Sequence, residues 1–196
     1  QTHGIPLAAH VLKEAVARAG VESNEVEDIV LGCGLPQGAT GHNIGRTAAL
    51  EAGFDVPGVT VNRYCGSGLT AASMIASRIA AGEIACGIAG GVESISLVQM
   101  GIAVDGFFYA PLQARMPAVW WTMNETADFV AKKYGISREA LDQYVVGSQQ
   151  RVEAARAAGK FAEEITPFKA VMKVTDKATG QSREQDVTLD HDEGPR

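Results

Sequence analysis

Residues 56–82 read VPGVTVNRYCGSGLTAASMIASRIAAG, and IACGIAGG follows at 84–91. The first seven residues are apolar and β-branched around a glycine, which predicts a strand. From Gly66 to Gly82 the run is too long for a strand and predicts a helix closed by glycine. The second stretch is short, apolar and bounded by glycine, which predicts a buried strand. Working backward, VEDIVLGC at 26–33 predicts another strand, ending at Gly32. GHNIGRTAALEAG at 41–53 predicts a short helix closed by Gly53. Residues 6–19 predict a helix with Pro6 at its first position, Leu7, Val11, Leu12, Ala15 and Val16 at helical spacing, and Gly20 as stop. Alternating helices and strands of this kind imply an α/β fold, a parallel or mixed sheet between helical layers. The helix at 66–81 carries one charge, Arg78, so it is expected to be buried nearly all round, with its N-terminus inside the protein.

After Glu93 the character changes. SLVQMGIAVDGFFYAPLQARMPAVWW is irregular, rich in aromatics and methionine, and holds both tryptophans. Helices are predicted again over 124–134 and 138–158, the second capped by Ser137. VMKVTDKATGQSREQDVTL at 171–189 predicts an exposed hairpin turning at Ala178-Thr179-Gly180. The chain is therefore divided near residue 105, into an α/β part at 1–105 and a helical, loop-rich part at 106–196.

Composition excludes several classes. The chain has 196 residues, 46% hydrophobic and 20% charged, as a folded globular protein does. Its 17 basic and 23 acidic residues leave a net charge of −6, which argues against a nucleic-acid binder. Cys33, Cys65 and Cys86 form no C-x-x-C and no zinc pattern, and an odd count suggests free thiols in a reducing, cytoplasmic setting. The N-terminus does not resemble a signal peptide, and no apolar run is long enough to span a bilayer. The chain starts without Met and almost at once enters a helix, which suggests truncation at the N-terminus.

Chemistry concentrates at Cys65. A thiol between a strand and the first turn of a helix meets partial positive charge and unpaired N–H groups, which favour thiolate and can receive an oxyanion. Gly66 and Gly68 would clear the approach to the sulfur. Two other readings stay open on the residues alone: an inert buried cysteine, or a dinucleotide turn in which Gly66, Gly68 and Ala71 fit G-x-G-x-x-A and Glu93 binds a ribose. Cys33 and Cys86 are read as small buried packing residues. His42, one of four histidines with His3, His10 and His191, is read as a surface or cap-adjacent residue, not a base. Met116, Trp120, Trp121 and Met123 either line an apolar cavity or pack beneath a loop. Lys132, Lys133, Arg138, Arg151 and Arg156 share their helices with acids and are read as a solvated face.

VNRYCGSGL followed by AGGVESIS resembles the paired motifs in the N-terminal half of thiolases, the acyl-CoA acetyltransferases. VEDIVLGCGLPQGATGHNIGRTAAL is similar to the family's segment before the nucleophile. MNETADFVAKKYGISREALDQYVVGSQQRVEAARAAGKFAEEITPF and the closing DEGPR are similar to its inserted loop domain. The resemblance implies a thiolase-like N-terminal half with an inserted helical loop domain. It implies Cys65 as catalytic nucleophile and Met123 as a residue lining the acyl and pantetheine pocket. It implies acyl-CoA and CoA as substrates, no separate cofactor, no metal, and a homo-oligomer (dimer or tetramer). The family's G-H-P histidine, N-E-A-F asparagine and C-x-G cysteine do not occur in this sequence. Asn124 stands where the family usually has glycine. The 196 residues are thus expected to be truncated relative to the family and inactive alone. The rival expectations are a non-catalytic, thiolase-derived CoA-binding or interaction module, a nicotinamide-binding half domain, and a decarboxylating or priming ketosynthase.

Overall fold

β1 (Asp28–Gly32), the most buried element, is central in a three-stranded parallel sheet of order β2-β1-β3, with β2 at Gly58–Val61 and β3 at Gly87–Gly91. The structure is a computed structural model that describes residues 2–102 and 105–194. It separates into two compact units, Gln1–Ile102 with Thr166–Asp190 and Ala103–Ile165 with His191–Arg196.

In the first unit, α1 (Gly4–Ala19) and α2 (Ile44–Ala52) cover one face of the sheet and α3 (Ser67–Ala80) covers the other. Topology dictates this. The chain steps from β1 to β2 through α2, then returns across β1 to β3 through α3. Right-handed crossovers that step in opposite directions place their helices on opposite faces. Alternation along β1 serves both layers: Ile29 and Leu31 join the cluster of Ala8, Leu12, Val16, Ala48 and Ala49, whereas Val30 packs with Ala71 and Ile75 of α3. The alanines let α1 and α2 approach closely.

Helix ends follow local rules. Gly20 and Gly53 close α1 and α2 in the left-handed region, as the sequence predicts. Helix α1 starts two residues before Pro6, because the His3 side chain accepts the Ile5 N–H and serves as cap. Asn43 caps α2, and its side chain also bonds Gly58 O at 2.8 Å and the Thr60 hydroxyl at 2.9 Å, tying the helix to β2.

The expectation that α3 is buried nearly all round is not met. Only Ser67, Ala71 and Ile75 are buried, and the face away from the sheet leaves Leu69 80% exposed, with Met74 and Ile79 also exposed. A helix apolar on every side has two faces to bury, and within this chain the sheet covers one. Likewise β3 is half-buried, not buried, as an edge strand of so small a sheet must be.

A short helix, α4 (Ile95–Val98), follows β3. The second unit holds α5 (Ala110–Arg115), α6 (Met123–Tyr134) and α7 (Arg138–Ala157). Ser137 caps α7 by accepting the Ala140 N–H at 3.2 Å. Of the aromatic run, Phe107, Phe108 and Trp120 form a cluster of ring contacts, and Trp121 packs on Phe129. Both tryptophans thus pack against other rings, whereas Met116 and Met123 are exposed. Ala103 and Val104 of that run, and Pro195 and Arg196 of the closing DEGPR, lie outside the described residues.

The hairpin forms as β4 (Phe168–Thr175) and β5 (Ser182–Leu189), antiparallel. It belongs to the first unit: Thr166 bonds His10 at 3.1 Å, and Phe168 meets the His10 ring edge-on. At its turn Asp176 accepts the N–H groups of Ala178 and Thr179, which hold its carboxyl below the usual range. Among the described residues no helix is long and apolar enough to cross a membrane.

Candidate active site

The carboxyl ends of the three strands converge on the stretch 61–68. In open parallel sheets this edge is where ligands bind. Asn62 leaves β2 and folds its side chain back, so that Oδ1 accepts the Tyr64 N–H at 2.9 Å. An asparagine accepting two residues on is a turn former. Tyr64 then takes a left-handed conformation, φ 47°, uncommon for a residue with a Cβ. The reversal raises Cys65 to the surface, where its side chain is exposed.

Ser67, the first residue of α3, holds this turn from inside. It is 3% exposed; its hydroxyl accepts the Arg63 N–H at 2.8 Å and donates to Tyr64 O at 2.6 Å. The Gly66 N–H donates to Arg63 O and the Ser67 N–H to Tyr64 O, both at 3.0 Å. Cys65 therefore sits on a turn with a left-handed residue, hydrogen-bonded on either side of the cysteine, that leads into α3.

Gly32, at the end of β1, lets α3 start there. A Cβ on it would fall 2.4 Å from the Ser67 carbonyl carbon and 2.5 Å from the Gly68 nitrogen. At the other end of the helix Arg78 pairs with Asp28, at the start of β1, and with Glu83 at 3.0 Å. Helix α3 is pinned at both ends to the central strand.

The other candidates take plainer positions. Cys33 follows β1, 1% exposed. Burial, and after it a hydrogen bond with Glu93, pushes its thiol up to about 11. Cys86 precedes β3 and is half-buried, not buried. The Cys33 shift has a measurable consequence. Between the ordinary thiol value near 9 and 11, the unfolded chain gives up a proton that the folded chain keeps. Stability is therefore expected to be unaffected by this group below pH 9 and to fall as pH rises toward 11. Urea titrations across that range check this, and Cys33→Ala should flatten the slope; a slope unchanged by the substitution would refute it.

His42 is exposed, φ 60°, one residue before the α2 cap, the surface, cap-adjacent position that its sequence context predicts. Glu93 does not point away for a ribose. Its carboxylate accepts the N–H groups of Gly34 and Leu35. Met123 opens α6 in the second unit, 73% exposed, behind a capping box in which Thr122 and Glu125 bond each other. Among the described residues no group of three or more His, Cys, Asp or Glu side chains is placed to hold a metal. The sequence reading passed over Asn62 and Ser67, although asparagine as a turn former and serine at a helix start were both legible signals.

The family model described as the thiolase N-terminal domain matches residues 2–196. The chain belongs to the thiolase family. It is 38% identical over 195 residues to a 3-ketoacyl-CoA thiolase of Bacillus subtilis, covering 97% of this chain and 49% of that protein. It is 40% identical over 200 residues to an acetyl-CoA acetyltransferase of Cupriavidus necator, covering 94% of this chain and 51% of the relative. A beta-ketoadipyl-CoA thiolase of Acinetobacter baylyi is 38% identical over 210 residues, covering 98% and 49%. The chain thus spans about half the length of these thiolases. The sheet of β1 to β3, layered by helices, is the α/β fold that the resemblance implies.

Proposed function

We propose that this chain is the nucleophile-bearing half of a thiolase-type acyl-CoA acyltransferase, with Cys65 accepting the acyl group. One observation carries the reading: an exposed cysteine on a positive-φ turn, bonded on both sides and two residues before a 14-residue helix. The sulfur attacks the thioester carbonyl carbon of an acyl-CoA. A new C–S bond forms, the carbonyl oxygen takes the negative charge, and the backbone N–H of Cys65 at the turn helps to stabilise it. In the synthetic sense collapse breaks the C–S bond to CoA, whose thiolate takes up, through solvent, the proton that Cys65 lost. The deprotonated methyl carbon of acetyl-CoA then attacks the acyl carbon, the bond to Cys65 breaks, and a 3-ketoacyl-CoA leaves. In the thiolytic sense the sulfur attacks the 3-keto carbon of a 3-ketoacyl-CoA, the C2–C3 bond breaks, the departing acetyl-CoA carbanion is protonated, and the acyl group passes to the sulfur of CoA, freeing Cys65.

CoA is substrate here, and the chemistry needs no other cofactor or metal. The family resemblance alone assigns Met123 to the acyl and pantetheine pocket. The relatives' names point to fatty-acid or related acyl-CoA metabolism. A cytoplasmic homo-oligomer, dimer or tetramer, is the working state of the whole protein. Proton transfer in the second step needs the base and acid that the family carries in G-H-P and C-x-G motifs, and these motifs do not occur in this sequence. The 196 residues by themselves therefore accept an acyl group without turning over.

Incubation with acetyl-CoA followed by intact-mass and peptide analysis is expected to place one acetyl group, on Cys65. Iodoacetamide should label Cys65 before Cys86 and Cys33. Cys65→Ala should abolish the acetyl adduct, and no sustained thiolysis of acetoacetyl-CoA should be seen. Acetyl spread equally over the three thiols, or absent while CoA binds, would favour a non-catalytic binding module. Robust turnover by the chain alone would sink the claim that it needs more than its own residues.

A further inference from the structure

Glu93 sits 59 residues from Gly34 in sequence, yet its carboxylate accepts two consecutive backbone N–H groups there, from Gly34 and Leu35, the latter at 3.3 Å. Gly34 is bonded on its other side as well: its carbonyl accepts the Asn62 side-chain N–H at 3.2 Å. The opposite end of that same Asn62 amide accepts the Tyr64 N–H. A continuous chain of hydrogen bonds thus runs from Glu93 through Gly34 and Asn62 to the residue before Cys65. Gly34 lies beside both partners: a Cβ on it would make ordinary van der Waals contact, 3.5 Å from the Tyr64 Cα and 3.6 Å from a Glu93 carboxylate oxygen.

We propose that Glu93 is a positioning residue for Cys65, acting through Gly34 and Asn62 to hold Tyr64 in its left-handed conformation. This rests on the reading of Cys65 as acyl acceptor. A non-glycine residue stays in that backbone region only where its surroundings over-determine it. Ser67 holds the turn from the helix side, and the Glu93 relay holds it from the strand side. Neither suffices alone, since each bonds a different atom: Ser67 takes the Tyr64 carbonyl, Asn62 the Tyr64 N–H.

The same strand pair supplies its own control. At the other end of β1 and β3, Glu27 accepts the N–H groups of Ala85 and Cys86 in the same manner. Both glutamates clamp β1 to β3, but only Glu93 connects to the Cys65 turn. A purely structural role would make the two equivalent.

The test measures amide exchange and Cys65 acetylation by acetyl-CoA in the 196-residue chain. In Glu93→Ala, amides of residues 64–67 are expected to exchange about five- to tenfold faster, the scale of one lost hydrogen bond. Cys65 acetylation should slow by about tenfold or more, since small displacements of a reacting group are costly. Glu93→Gln retains an oxygen that accepts both N–H groups and should restore both readouts. Glu27→Ala should leave both unchanged. Unchanged exchange at 64–67 in Glu93→Ala, equal loosening in Glu27→Ala, or no rescue by Glu93→Gln would each overturn the proposal. Should Glu93→Ala fail to fold, Asn62→Asp keeps the acceptor for Tyr64 but removes the donor to Gly34. It must then loosen the same amides, and a parental exchange pattern overturns the proposal. If the parent chain takes no acetyl group on Cys65, the acyl-acceptor reading fails, while the exchange data still decide the positioning role.

Discussion

Gly32→Ala is expected to be the most damaging small substitution in the first unit. The new Cβ would lie 2.4 Å from the Ser67 carbonyl carbon and 2.5 Å from the Gly68 nitrogen, both backbone atoms at the start of α3. No side chain can rotate away, so either the strand end or the helix must shift. Overpacking of this kind costs about 3 kcal/mol, at the upper end of the usual range. Alanine's smaller conformational entropy loss in a strand offsets roughly 0.5–1 kcal/mol of that. The net loss is therefore about 2 kcal/mol, a large share of a small domain's stability. Urea denaturation of the two proteins measures it. Gly90→Ala is the contrast, because its Cβ would meet only the Leu31 side chain, at 3.5 Å. Gly32→Ala melting with the parent would show that α3 does not rest on the end of β1 as described.

Ser67→Ala is expected to separate stability from reactivity. The buried hydroxyl makes two hydrogen bonds to the nucleophile turn. Tyr64 O keeps its bond from the Ser67 N–H, so its loss is partial. The Arg63 N–H loses its partner, at a cost of about 1–2 kcal/mol. The larger effect is local. Without the hydroxyl, the turn loses the bond that draws Tyr64 O toward the helix, and the left-handed residue can relax. Acetylation of Cys65 by acetyl-CoA should then slow by about a hundredfold, out of proportion to the stability change. Acetylation at the parental rate in a folded Ser67→Ala protein would show that the hydroxyl serves only the fold.

Much of the fold was legible because it is written in local signals. Gly20 and Gly53 as helix stops, Ser137 as cap, and the apolar strands at 28–32 and 58–61 all emerge where the pattern places them. Each depends on contacts within a few residues, which a sequence displays directly. The start of α1 was misjudged because Pro6 suits a first turn in general, while the His3 side chain supplied an unanticipated cap two residues earlier. Exposure of α3 was misjudged for a different reason. Composition shows that a helix is able to be buried on all sides, but not how many of its faces find a partner.

Determined by the sequence itself were the α/β class, the position of Cys65 between strand and helix, and family membership through the motifs around it. Only the tertiary structure decided what holds that cysteine. The strand order β2-β1-β3 brings Gly32, Gly34, Asn62 and Glu93 to one edge of the sheet. Hydrogen bonds that span tens of residues have no signature in spacing, because any acid or asparagine can serve once the fold delivers it. Glu93 shows the difference: in sequence it suited a ribose, and in the structure its carboxylate is bonded to the backbone beside the nucleophile turn.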